Sequence, residues 1–112
     1  MIHAKQRIIY LSGPMTGLPA SNYPLFNQVA AELRGKDHVV FNPAEFAPGV
    51  EPFPLRQAFA EYCRFICLEA CTIALLPNWH KSNGATIERN LARTCGLDAF
   101  RLIEDDIWVL EP

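Results

Sequence analysis

No apolar run in the sequence approaches the roughly 18 residues of a membrane-crossing helix, and the opening MIHAKQR has no hydrophobic stretch of signal-peptide length. Neither a membrane partner nor a leader is expected, and the reading is cytoplasmic. Charge of one sign is equally scarce: ten basic against twelve acidic residues leave a net charge of −2, with half the residues hydrophobic and a fifth charged. That balance argues against disorder, a polybasic membrane surface and binding to a nucleic-acid polymer. Cysteine lacks metal or redox spacing. No C-x-x-C pair occurs, Cys95 stands alone, and Cys63, Cys67 and Cys71 recur every fourth residue along one helix-like segment. Thiols in such a stripe are expected to act as small buried hydrophobes, with no metal. Glycine-rich nucleotide signatures are missing too, since neither G-x-G-x-x-G nor the P-loop pattern is present.

What is present is enough apolar sequence for one domain, residues 1–112, with a core of its own. RIIYLS at 7–12 is a β-branched run that breaks into the turn-rich GPMTGLP. Phe26, Val29, Ala30 and Leu33 then recur at helical spacing behind Pro24, and Gly35 ends the segment. A second strand is expected at 38–41, followed by a proline-rich surface loop at 46–54. A helix over 55–70 is expected to bury Phe59, Cys63, Ile66, Cys67 and Ala70. A third strand at 72–76 precedes a helix from Gly84 that presents Ile87, Leu91 and Cys95 on one face and stops at Gly96. Two last strands fall at 100–103 and 107–110. Alternation of strand and helix predicts an α/β fold, a flavodoxin-like three-layer sandwich with a four- or five-stranded parallel sheet ordered 2-1-3-4, the last strand at its edge.

Such a sheet sets the loops after its first and third strands side by side, because neighbouring parallel strands end at the same edge. GPMTG and NWHKSNGA are therefore expected to line one pocket. The first loop offers free amides and the hydroxyls of Ser12 and Thr16 ahead of a helix, an arrangement that favours an anion or serves only as a turn. In the second loop Ser82 or Asn83 caps the helix that follows and is compatible with the same role. Glu88 reads as a reacting carboxylate, as an acid favoured by the helix dipole, or as a surface charge paired with Arg89 or Arg93. Trp79 and Tyr10 have flat apolar bodies suited to stacking on a heterocycle or to the core. His80 offers a proton near neutral pH.

Taken together, YLSGPMTG, the segment from Asn22 to Leu33, NPAE at 42–45 and LLPNWHKSNGATIE at 75–88 resemble the phage and bacterial branch of the nucleoside 2-deoxyribosyltransferase-like superfamily, over Ile8 to Gly96. The resemblance implies that Glu88 is a nucleophile towards the anomeric carbon of a 2-deoxyribosyl group, forming an ester that water or a second base opens. It implies that Tyr10 orients Glu88, that Gly13, Met15, Thr16, Ser82 and Gly84 hold sugar or phosphate, and that Trp79 flanks the base. Serine at 82, where nucleoside transferases tend to have aspartate, resembles the deoxynucleoside 5'-monophosphate N-glycosidases and tilts the small-molecule substrate towards a nucleotide. Neither metal nor dissociable cofactor is implied, and a homodimer or higher homo-oligomer is. One departure stands out: no Asp occurs between Asp37 and Asp98, where relatives keep an acid. His80, Glu45 or Glu61 takes that role, or the chain is a non-catalytic nucleotide-binding module. A protein-interaction domain using the 46–54 loop ranks last.

Overall fold

Two-residue alternation along the central strands decides which side chains meet which helices. The computed structural model describes residues 1–112, with β1 at Ile8–Ser12, α1 at Tyr23–Gly35, β2 at Val39–Phe41, α2 at Leu55–Leu68, β3 at Thr72–Leu75, α3 at Asn83–Thr94, β4 at Asp98–Glu104 and β5 at Ile107–Leu110. From β1, Ile9 and Leu11 point to one face and pack with Phe26, Val29, Ala30 and Leu33 of α1. These are the four residues that helical spacing had selected. Tyr10 points to the other face, where Tyr62, Phe65 and Ile66 of α2 and Ala92 of α3 cover it. The sheet thus lies between α1 and the α2/α3 pair.

The strand order is β2-β1-β3-β4-β5, which places the last strand at the edge as expected. β1 pairs in parallel with β2 and β3, and β3 in parallel with β4. β5 does not follow the expected parallel sheet: it is antiparallel to β4. The reason is chain length, because only Asp105 and Asp106 separate the two strands, whereas a parallel return needs a crossover of about a dozen residues or more. The sheet is therefore five-stranded and mixed.

Two helix faces also differ from expectation. In α2 the buried residues are Ala58, Tyr62, Phe65 and Ile66, while Cys67 is exposed and Cys63 half-buried. Tyr62 and Phe65 carry more apolar area than a thiol and join Tyr10 and Phe41 in an aromatic cluster, with Phe41 and Phe65 centroids 4.9 Å apart. The cysteine stripe turns outward as a result. In α3 the buried residues are Ala85, Glu88 and Ala92, and Ile87 remains 52% exposed. Small alanines let this helix approach the sheet closely. Of the expected apolar face, Leu91 alone packs against the core, and only partly.

Candidate active site

The chain leaves β1 for α1 and β2 on one side and returns to β3 on the other, so the switch in strand order lies between β1 and β3. Ligands of open α/β sheets bind outside the carboxyl ends of strands at such a point. Here that position opens into a cleft of about 1330 Å³. Its floor is formed by β1 and the first two turns of α3, one wall by α2, and the outer rim by the loop carrying Val50, Glu51 and Phe53.

Glu88 lies in this cleft yet is only 6% exposed. Its position has two local causes. Ser82 caps α3 by accepting the Ala85 amide at 3.2 Å, which fixes where the helix starts. Six residues later the helix has turned Glu88 towards the sheet. Across from it, Tyr10 and Ser12 stand two residues apart on β1 and so share a face. The Ser12 hydroxyl donates to one Glu88 oxygen at 2.6 Å, and the Tyr10 hydroxyl donates to the other at 3.0 Å. No arginine or lysine pairs with the carboxyl, so neither Arg89 nor Arg93 neutralises it; Arg89 instead reaches Glu111 and the Pro112 carbonyl.

Burial without a counter-charge pushes the Glu88 carboxyl up from 4.5 to about 7, although the two hydroxyl donors pull it down. Its neighbours respond in turn. Tyr10 is raised well above the ordinary phenol value by burial and then by Glu88, and Tyr62 is pushed up to about 12 by the same two causes in the same order. Both phenols therefore keep their protons near neutrality and serve as donors. An ionised Glu88 held by the Tyr10 and Ser12 hydroxyls has lone pairs fixed in position, a geometry suited to a nucleophile or general base.

Gly13 continues β1 into the cleft. A Cβ there would stand 2.7 Å from Leu76 Cβ, closer than non-bonded carbons approach, so the chain passes Leu76 only with glycine. Next to the main cleft a smaller recess of about 340 Å³ is lined by Pro14, Met15, Thr16, Lys81, Ser82, Asn83 and Gly84. Thr16, Ser82, Lys81 and the backbone at the start of α3 border it. That combination suits an anion.

Of the residues singled out from the sequence, Tyr10, Gly13, Met15, Thr16, Ser82, Gly84 and Glu88 meet at this cleft. Trp79 does not line it. Asn78, at φ 66°, turns the chain so that Trp79 packs against the α2/α3 core, with the Arg89 guanidinium 5.6 Å above its ring. None of the three alternative acids reaches the cleft either: His80 is exposed at the edge of Trp79, Glu45 is bound to Arg34 at 2.7 Å, and Glu61 faces Arg64 at 3.3 Å. Sequence reasoning passed over Ser12 as a partner of Glu88, although its period-two relation to Tyr10 was there to read. Tyr62, Cys63 and Glu51 also line the cleft without having been selected; no spacing connects them to Glu88. No group of three or more His, Cys, Asp or Glu side chains is arranged to hold a metal ion, and no helix is long and apolar enough to cross a membrane.

No curated protein and no solved structure matches the chain. A family model matches residues 7–100, a span that contains Tyr10, Ser12, Gly13, Ser82 and Glu88 and stops before β5. The chain belongs to the family described as domain of unknown function DUF4406.

Proposed function

We propose that the chain cleaves the N-glycosidic bond of a 2'-deoxynucleoside 5'-monophosphate, as a hydrolase or a deoxyribosyltransferase, with Glu88 as nucleophile. One observation carries the reading: a carboxyl without a cationic partner, buried at the floor of an open cleft and held by the hydroxyls of Tyr10 and Ser12. A purely structural glutamate would gain from a counter-charge or from exposure, and Glu88 has neither. The 2-1-3-4 order of the parallel strands supports a flavodoxin-like arrangement and, with the motifs of the two loops, kinship with the nucleoside 2-deoxyribosyltransferase-like superfamily.

In this mechanism ionised Glu88 attacks the anomeric carbon as the base departs, giving a glycosyl ester that water or a second base opens. Tyr10 and Ser12 keep the attacking oxygens aimed. The recess around Thr16, Lys81 and Ser82 supports a phosphate on the substrate, since hydroxyl and ammonium groups donate to it. Aromatic Phe59 and Tyr62, on the α2 wall, replace Trp79 as flanks for the base. Glu51, on the outer rim, is the second carboxylate of the cleft and in this mechanism protonates the departing base. Self-association belongs to the same proposal, supported by the 65% exposed Leu55 at the rim; light scattering at micromolar concentration reads it.

The test is release of free base from each deoxynucleoside and deoxynucleoside monophosphate, followed by chromatography, with Glu88→Ala beside the parent. Base release by the parent and none by the variant is the expected outcome. A second reading, nucleotide binding without turnover, is favoured by the placement of His80, Glu45 and Glu61 away from the cleft. It prevails if neither protein releases base while a deoxynucleotide raises the melting temperature of both.

A further inference from the structure

Cys67 lies in the last turn of α2 and Cys95 directly follows α3, and their thiols stand 4.0 Å apart, Sγ to Sγ. Both residues are exposed. A disulfide brings sulfurs to about 2.05 Å, so forming one closes a remaining gap of about 2 Å between two short side chains. The other cysteines lack such a neighbour. Cys71 accepts the Ile8 amide at 3.3 Å and touches the Thr72 hydroxyl at 3.6 Å, and Cys63 is half-buried on the cleft wall.

We propose that Cys67 and Cys95 are a reversible dithiol pair that exchanges with small-molecule disulfides of the glutathione class and, when oxidised, staples α2 to α3. The staple joins the helix that carries Tyr62 and Cys63 on the cleft wall to the helix that carries Glu88. Oxidation therefore fixes the spacing of the α2 wall and the α3 floor at the C-terminal ends of the two helices.

The exchange runs in two balanced steps. One protein thiolate attacks a sulfur of glutathione disulfide, forming a mixed disulfide and expelling one glutathione thiolate. The neighbouring thiolate then attacks the protein sulfur of that mixed disulfide, closing the Cys67–Cys95 bond and expelling the second. Two electrons pass from the protein to the glutathione sulfurs, and the two thiol protons end on the two glutathiones. A lone exposed thiol stops after the first step. Cys71 supplies that comparison within the same molecule.

The experiment incubates the native chain with glutathione disulfide, blocks remaining thiols, digests with trypsin without reduction and reads peptide masses. Peptides 65–81 and 94–101 are expected to be joined and lighter by two hydrogen atoms than their sum, whether Cys71 is blocked or carries glutathione. The link survives in Cys71→Ser and is lost in Cys67→Ser and Cys95→Ser, which keep glutathione on the remaining partner. Dithiothreitol reverses it. Glutathione retained on Cys67 or Cys95 of the parent, a link lost in Cys71→Ser, or a bond only between two molecules overturns the proposal. The readout is a mass, so it is independent of whether the chain releases nucleobase.

Discussion

Replacing Glu88 by glutamine should remove a pH dependence of stability that the parent carries at one residue. Folding raises this carboxyl from 4.5 to about 7, chiefly through burial, so the folded chain holds its proton more tightly than the unfolded one. At about 1.36 kcal/mol per tenfold change in proton affinity, the difference amounts to roughly 3 kcal/mol. The sign follows from which state keeps the proton. Below about pH 4.5 both states are protonated and the contribution is complete; it falls as pH rises and is gone above about pH 7, where the buried carboxylate is ionised. Glutamine stays neutral throughout, and its amide oxygen and nitrogen each find a hydroxyl, since those of Ser12 and Tyr10 both donate and accept. Thermal unfolding of parent and Glu88→Gln at about pH 4, 6 and 9 is the assay. The variant should gain on the parent as pH rises, by about 3 kcal/mol between the extremes, or roughly 10 °C in a domain of this size. Because other titrating groups act equally on both chains, the difference between them isolates Glu88. A melting-temperature gap that stays constant from acid to alkaline buffer refutes the argument.

Ser12→Ala removes the 2.6 Å bond to Glu88, a contact worth about 1.5–3 kcal/mol when its acceptor is ionised. The carboxyl should then titrate higher, moving the acid limb of the base-release profile up in pH. kcat/KM should fall roughly ten- to hundredfold near pH 7 and less near pH 9; an unmoved limb assigns Ser12 a packing role only. Glu51→Gln should slow release of natural bases by about 10²-fold or more, the usual range for a lost general acid. The same variant should leave an activated substrate such as p-nitrophenyl 2-deoxyriboside nearly unaffected, and equal losses on both substrates would remove Glu51 from the mechanism.

Much of the architecture was legible because it rests on periods internal to the chain. Phe26, Val29, Ala30 and Leu33 recur at the spacing of a helix, and all four are buried in α1. Gly96 closes α3 at φ +82°, where other residues are strained. The meeting of the loops after β1 and β3 followed from strand order alone, and Gly13, Thr16, Ser82 and Gly84 do line one cleft. The direction of β5 was also readable from the three residues, Glu104 to Asp106, between the last two strand candidates, which are too few for a parallel return.

Other features depended on competition between distant groups. Cys67 lost its expected place in the core because Tyr62 and Phe65, on the adjoining face, bury more apolar area against Tyr10 and Phe41. Ile87 lost its place because Ala85 and Ala92 allow the closer approach of α3 to the sheet, and that approach carries Glu88 inward. Trp79 left the site for the same layer of core.

The sequence by itself determined the order of the parallel strands, a cap at Ser82 or Asn83 and most of the residues offered to the cleft, since turn chemistry and the periods of 2 and 3.6 are properties of neighbouring residues. Only the tertiary structure decided what Glu88 is. Its two hydrogen-bond donors arrive from 76 and 78 residues away along the chain, and its shifted acidity comes from surrounding bulk that excludes water rather than from any residue beside it in sequence.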